Sequence, residues 1–71
     1  MRREVVDSEA LRSVGYDPDR RILEIEFAGG TVYRYLGVPP SVHAELMTAD
    51  SKGEYYSANI RMAGFEYERQ R

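Results

Sequence analysis

Tyr33-Arg34-Tyr35 is the segment whose residue types and spacing are best suited to chemistry. Two tyrosines two positions apart share one face of a strand, and Arg34 takes the other. Rings presented together form a platform on which nucleic-acid bases stack, and a neighbouring guanidinium contacts phosphate. The same pair also makes ordinary sheet core, with the hydroxyls reaching the sheet margin. Arg34 is then most simply the partner of a carboxylate across the sheet. Ser51-Lys52-Gly53 is the second segment. A helix starting there presents free amides and a positive dipole end, and Lys52 adds charge, as an anion site requires. Against this, Ser51 is accounted for as a helix cap, no Gly-rich phosphate loop precedes it, and Asp50 and Glu54 flank it.

The other cations are Arg12, Arg20 and Arg21 near one turn, Arg2 and Arg3 upstream, and Arg61 late in the chain. Asp17 and Asp19 offset the first three. The group reads as a solvated face or as a patch that steers phosphate. His43 with Ser51 or Ser57 and an acid makes a triad only on paper, since no strained nucleophile turn or oxyanion loop accompanies them. No matched acid/base pair or cofactor motif is present, so a non-catalytic protein without a cofactor is expected. There is no cysteine. His43 alone cannot ligate zinc, and Glu45 at i+2 does not share its helical face, so no metal site is expected.

The elements that position these residues follow from 71 residues and a formal charge of −2. That length allows one domain, 1–71, whose core supplies a net stability on the order of 3–5 kcal/mol. Nine of the ten basic residues are arginine, spread along the chain, which is not the strongly basic balance of a dedicated non-specific nucleic-acid binder. No apolar run approaches the ~18 residues that span a bilayer, and no signal peptide is visible. With cysteine absent, a cytoplasmic protein without a membrane role is expected.

Residues 1–8 are mostly polar and read as a frayed start. Leu11 to Tyr16 reads as a strand with Val14 and Tyr16 on one face, followed by a type I turn at Asp17-Pro18-Asp19-Arg20. Arg21 to Phe27 is the clearest strand, with Leu23, Ile25 and Phe27 alternating with Glu24 and Glu26. Thr31 to Leu36 is the third. Between them, a two-residue Gly29-Gly30 loop would pair Ile25 with Arg34 and put the arginine among core residues. A three-residue loop with Gly30 in the left-handed region pairs Ile25 with Tyr33, Leu23 with Tyr35 and Glu24 with Arg34. The second register is preferred, because a one-residue slip turns every side chain to the wrong face. It directs both tyrosine rings toward the core.

Pro40 or Ser41 opens a short helix to about Thr48, with Val42, Leu46 and Ala49 on one side. Ser51 and Glu54 form a capping box for a second helix from Lys52 to about Met62, in which Tyr56 and Ile60 pair at i, i+4 and Gly64 is the stop. The tail 63–71 alternates apolar and charged residues and reads as an extra strand or a loose end. The expected fold is α+β: a three-stranded antiparallel meander followed by two short helices packed on one face.

Four pieces in order carry a resemblance. They are Val14-Gly15-Tyr16-Asp17-Pro18; Leu23-Glu24-Ile25-Glu26-Phe27; Gly30 with Tyr33-Arg34-Tyr35 and Gly37-Val38-Pro39; and Ala49-Asp50-Ser51-Lys52-Gly53 with Tyr55-Tyr56 and Ile60-Arg61. Together these resemble the KTSC family, named after the C-terminal domain of some lysyl-tRNA synthetases and found also as stand-alone bacterial and phage-type proteins. The resemblance runs from about Ser8 to Arg61 and leaves the tail from Met62 outside it. It implies a small binding module with RNA, tRNA or another structured RNA, as partner class, and it transfers no catalytic residue. Tyr33, Arg34, Tyr35, Lys52, Arg12, Arg21 and Arg61 are the expected RNA contacts. The alternative is a protein–protein interaction module of bacterial or phage origin with no nucleic-acid role. A monomer or weak homo-oligomer is expected.

Overall fold

The computed structural model describes residues 1–71. Five strands form one antiparallel sheet in sequence order: β1 (Arg3–Val5), β2 (Leu11–Asp17), β3 (Ile22–Phe27), β4 (Val32–Tyr35) and β5 (Tyr67–Arg69). Between β4 and β5 the chain forms α1 (Pro40–Thr48) and α2 (Lys52–Tyr56), the latter continued by a π-helical turn, Ser57–Arg61. The α+β class and the two helices are as expected. The strand count is not: the three-stranded meander is the centre of a five-stranded sheet. Its edges are completed by β1, where a frayed start was expected, and by β5, which makes the tail the extra strand rather than a loose end. A three-residue strand carries almost no periodic signal of its own and is fixed by the partner it pairs with.

The β3–β4 hairpin has the three-residue loop. The Phe27 amide donates to the Thr31 carbonyl at 2.8 Å, and Gly30 has φ +94°. That backbone conformation is open to glycine at little steric cost. The register is therefore Leu23 opposite Tyr35, Glu24 opposite Arg34 and Ile25 opposite Tyr33. At the preceding turn, Asp17 Oδ1 accepts from the Asp19 and Arg20 amides, as the type I reading requires. Arg21 does not begin β3 but stands in the left-handed region at φ +56°, and its carbonyl accepts from the Val38 amide at 2.9 Å.

One sheet face is covered by the helices. Leu11, Val14, Leu23, Ile25 and Tyr35 from the sheet meet Val38, Leu46 of α1 and Ile60 of the π turn in a single buried cluster. A bulge between Leu11 and Ser13 lets Leu11 face this core although it lies three residues from Val14. Truncating a buried leucine such as Leu46 costs roughly 2–5 kcal/mol in such cores, comparable to the net stability of so small a domain. Ser51 caps α2 by accepting from the Glu54 amide, and the Tyr55 hydroxyl donates to Glu45 Oε1 at 2.7 Å, joining α2 to α1.

Gly15 decides whether β1 can dock. A Cβ there would lie 2.8 Å from the Arg2 carbonyl and 3.0 Å from Arg3 Cγ. Gly15→Ala is expected to push β1 off the sheet and to cost about 1–3 kcal/mol, the usual cost of an overpacked site. In urea unfolding with amide exchange, protection should be lost first at β1 and be kept in β2–β4.

Candidate nucleic-acid interface

The two sheet faces have opposite chemistry. On the face without helices, Glu24 is only 5% exposed and lies between two arginines. Arg3 donates to Glu24 Oε2 at 2.6 Å and Arg34 Nε to Oε1 at 2.7 Å. Beside it, Glu26 accepts from the Ser13 hydroxyl and pairs with Arg12 at 3.7 Å, while Arg12 also donates to the Ala28 carbonyl. Burial pushes the Glu24 carboxyl up, but the hydrogen bonds and charges of Arg34 and Arg3 outweigh it and leave the group below its ordinary value. Arg34 and Arg12 thus serve the sheet.

On the helix-covered face, near the β4–β5 edge, aromatic rings collect. Tyr33 and Tyr35 of β4 face Tyr67 of β5 with ring centroids 5.4 and 5.6 Å away. Tyr56 at the end of α2 lies 6.0 Å from Tyr35 and 5.1 Å from Phe27, and its hydroxyl is hydrogen-bonded to that of Tyr35. Most of these contacts are edge-to-face, the arrangement favoured by ring quadrupoles. Burial, then the bond to Tyr56, pushes the Tyr35 hydroxyl above its ordinary pKa, so this part of the wall stays neutral. Tyr33, Tyr35, Tyr56, Tyr67 and Arg61 line a cleft of about 330 Å³, and no carboxylate is among them.

Each wall has a local cause. The hairpin register puts Tyr33 and Tyr35 on the core side. Tyr35 is 4% exposed and is core, whereas Tyr33 is half-buried, so the two halves of the motif have different environments. Tyr67 stands opposite Tyr35 and is 61% exposed. Arg69 stands opposite Tyr33 on the same face, while Glu68 stands opposite Arg34 on the other. Arg61 reaches the cleft because of the π turn. In an α-helix, residues five apart are separated by about 140° around the axis, whereas the wider π winding brings Tyr56 and Arg61 to one side.

The expected contacts therefore divide. Tyr33, Tyr35 and Arg61 come together. Arg34 and Arg12 are on the opposite face in ion pairs, and Arg21 is exposed in the β2–β3 turn. Lys52 donates to the Ala49 carbonyl at 3.4 Å and lines a hollow with Asp7, Glu9, Asp50 and Glu54. Two carboxylates from the segment before β2 thus join the two flanking it in sequence, and phosphate is disfavoured there. Tyr56 and Tyr67 are the members of the cleft that sequence reasoning missed. Alternation of Phe65 and Tyr67 was the available signal for one; no α-helical period marks the other as a neighbour of Arg61. His43 is half-buried and stacks on Tyr16 with centroids 4.6 Å apart. No group of three or more His, Cys, Asp or Glu is arranged to hold a metal ion, and no helix is long and apolar enough to cross a membrane.

A five-stranded sheet with an aromatic cleft at one edge and two short helices on one face defines a small α+β module. The chain belongs to the KTSC family: the model of the KTSC domain matches residues 7–67. The match takes in the first residue of β5, so the shared region extends beyond Arg61 into the tail. An uncharacterised protein of Stutzerimonas stutzeri is 44% identical over 67 residues, 94% of each chain. The crystal structure of a KTSC domain protein from Yersinia pestis superimposes with a TM-score of 0.90 at 41% identity, covering 96% of this chain and 94% of that one. A lysine–tRNA ligase of Nostoc punctiforme is 36% identical over 55 residues, 78% of this chain but 10% of the ligase.

Two groups tie stability to pH. Burial holds the His43 imidazole below its ordinary pKa, partly offset by Glu4. The neutral form is favoured on folding, so this contribution is complete above about pH 6.5 and is lost as pH falls through the lower folded value. Glu24 behaves alike around its own range: its contribution is complete above about pH 4.3 and is lost as pH falls through the folded value. Urea unfolding between pH 7.5 and 3 should show stability declining in two stages. His43→Phe, which keeps a ring on Tyr16, should flatten the first stage and leave the second.

Proposed function

We propose that this protein is a non-catalytic RNA-binding module whose contact surface is the cleft of Tyr33, Tyr35, Tyr56, Tyr67 and Arg61, with Arg69 beside it. The observation that carries the reading is the composition of that cleft: four aromatic rings and a guanidinium with no carboxylate, in a chain whose acidic residues outnumber its basic ones. Aromatic rings interleaved with arginine suit bases and phosphates together. The likeness to a segment of lysine–tRNA ligases, proteins named for acting on tRNA, supports RNA as the partner class. Arg34, Arg12 and Lys52 have no part in this surface: the two arginines are ion-paired on the other sheet face, and Lys52 lies away from the cleft in a hollow shared with four acidic residues.

A second reading, a protein-interaction module, is favoured by one observation. β5 is a fully exposed edge strand, with Met62 nearby in sequence 75% exposed, and an edge can accept a strand from a partner.

An amide NMR titration with pooled tRNA separates the two. Shifts are expected at Tyr33, Tyr56, Arg61, Tyr67 and Arg69 and not at Arg34 or Lys52. Affinity should fall with salt at a log–log slope of about −1.4 to −1.8, the value for two neutralised phosphates. Arg61→Ala should weaken binding and reduce that slope by roughly one. Absence of shifts at low salt would remove the RNA reading and favour a protein partner at β5.

A further inference from the structure

The cleft also restricts which form of RNA fits, an inference that rests on the RNA reading above. We infer that the cleft accepts a single unstacked nucleobase, so that the protein selects unpaired nucleotides over duplex. A cleft of about 330 Å³ is at the lower end of the roughly 300–1,000 Å³ range of small-ligand sites. A-form duplex offers such a site little: its bases are stacked inside, and its surface presents phosphates, 2′-hydroxyls and shallow groove edges. The exposed Tyr67 and the half-buried Tyr33 and Tyr56, seated on the buried Tyr35, gain their binding energy from ring faces, and only a base turned out of a stack exposes its own.

The polar atoms define the selectivity further. The Tyr35 and Tyr56 hydroxyls satisfy each other. Those of the half-buried Tyr33 and the exposed Tyr67 make no hydrogen bond within the chain and are free for a ligand. A phenol hydroxyl donates and accepts, so it suits the edge of any base. No amide or carboxylate side chain lines the cleft to impose a fixed donor–acceptor pattern. Arg61 at the wall is placed for a phosphate beside the inserted base, while Arg69, across from Tyr33 in the register, donates to the Arg71 carbonyl and adds positive charge next to the cleft. The site therefore discriminates by strandedness and hardly at all by sequence.

The test compares three labelled RNAs: a ten-nucleotide single strand, its blunt duplex, and a hairpin whose loop carries unpaired bases. The chain has no tryptophan, so quenching of tyrosine emission reports directly on stacking. The single strand and the hairpin should bind about tenfold or more tighter than the duplex, with quenching. Tyr67→Ala should lower single-strand affinity on the order of tenfold and Tyr67→Phe by far less. Should Tyr67→Ala disturb β5, Arg61→Ala, at an exposed position, reads the same surface through the salt slope. Equal affinity for duplex and single strand, unaffected by Tyr67→Ala, would overturn the base-insertion inference and leave RNA binding through phosphates standing. Failure of every RNA to bind at low salt would overturn both.

Discussion

Everything on the helix-covered face depends on one backbone conformation, the left-handed Gly30 that makes the β3–β4 loop three residues long. It sets Tyr33 and Tyr35 beside Ile25 and Leu23, and in the same stroke sets Arg34 opposite Glu24. A loop shorter by one residue would turn the tyrosines toward the carboxylates and bury a guanidinium among leucine and isoleucine. A buried unpaired charge and a lost aromatic core would follow together. The fold and the cleft are thus one choice of register, enforced by core packing on one face and by ion pairs on the other.

The ion-paired face has an electrostatic effect on the cleft. Arg3, Arg12 and Arg34 are tied to Glu24 and Glu26, which removes three cations and two carboxylates from competition for outside ligands. Asp7, Glu9, Asp50 and Glu54 collect around the start of α2, and Arg61 ends the π turn that follows it. One short helical segment therefore runs from an acidic hollow to a cationic rim. A chain of net charge −2 presents, over a small area, a surface with no negative group. Net charge describes such a molecule poorly; the distribution decides what approaches and where.

The meander was legible because strands of four to seven residues, the central one with alternating polarity and a marked glycine turn after it, carry their own signal. Leu23, Ile25 and Phe27 against Glu24 and Glu26, with Gly30 after them, suffice to derive the register. The capping role of Ser51 and the first helix were readable on the same local grounds. What was not legible depends on pairing between distant segments. Arg3–Val5 becomes a strand, and Tyr67–Arg69 settles as strand rather than loose end, only because β2 and β4 offer unpaired edges, and Gly15 leaves room for the first of them. One wall of the cleft was hidden for the same reason: Tyr67 meets Tyr35 across 32 positions of chain. The exclusion of Lys52 likewise needed Asp7 and Glu9 to arrive from the far side of the sheet sequence.

The π turn has a consequence for chain length. A π turn holds about one residue more than an α turn while its side chains return to much the same side. Between Tyr56 and Arg61, that surplus residue is absorbed without moving Ile60 from the core or Arg61 from the cleft. A sister chain one residue shorter here, wound as plain α-helix, would present its isoleucine and arginine in nearly the same directions. Aligned letter by letter, the two would show a gap beside the most important cation; superimposed in space, they would show none. At this point of the fold, insertion and deletion are interchangeable with a change of helical winding.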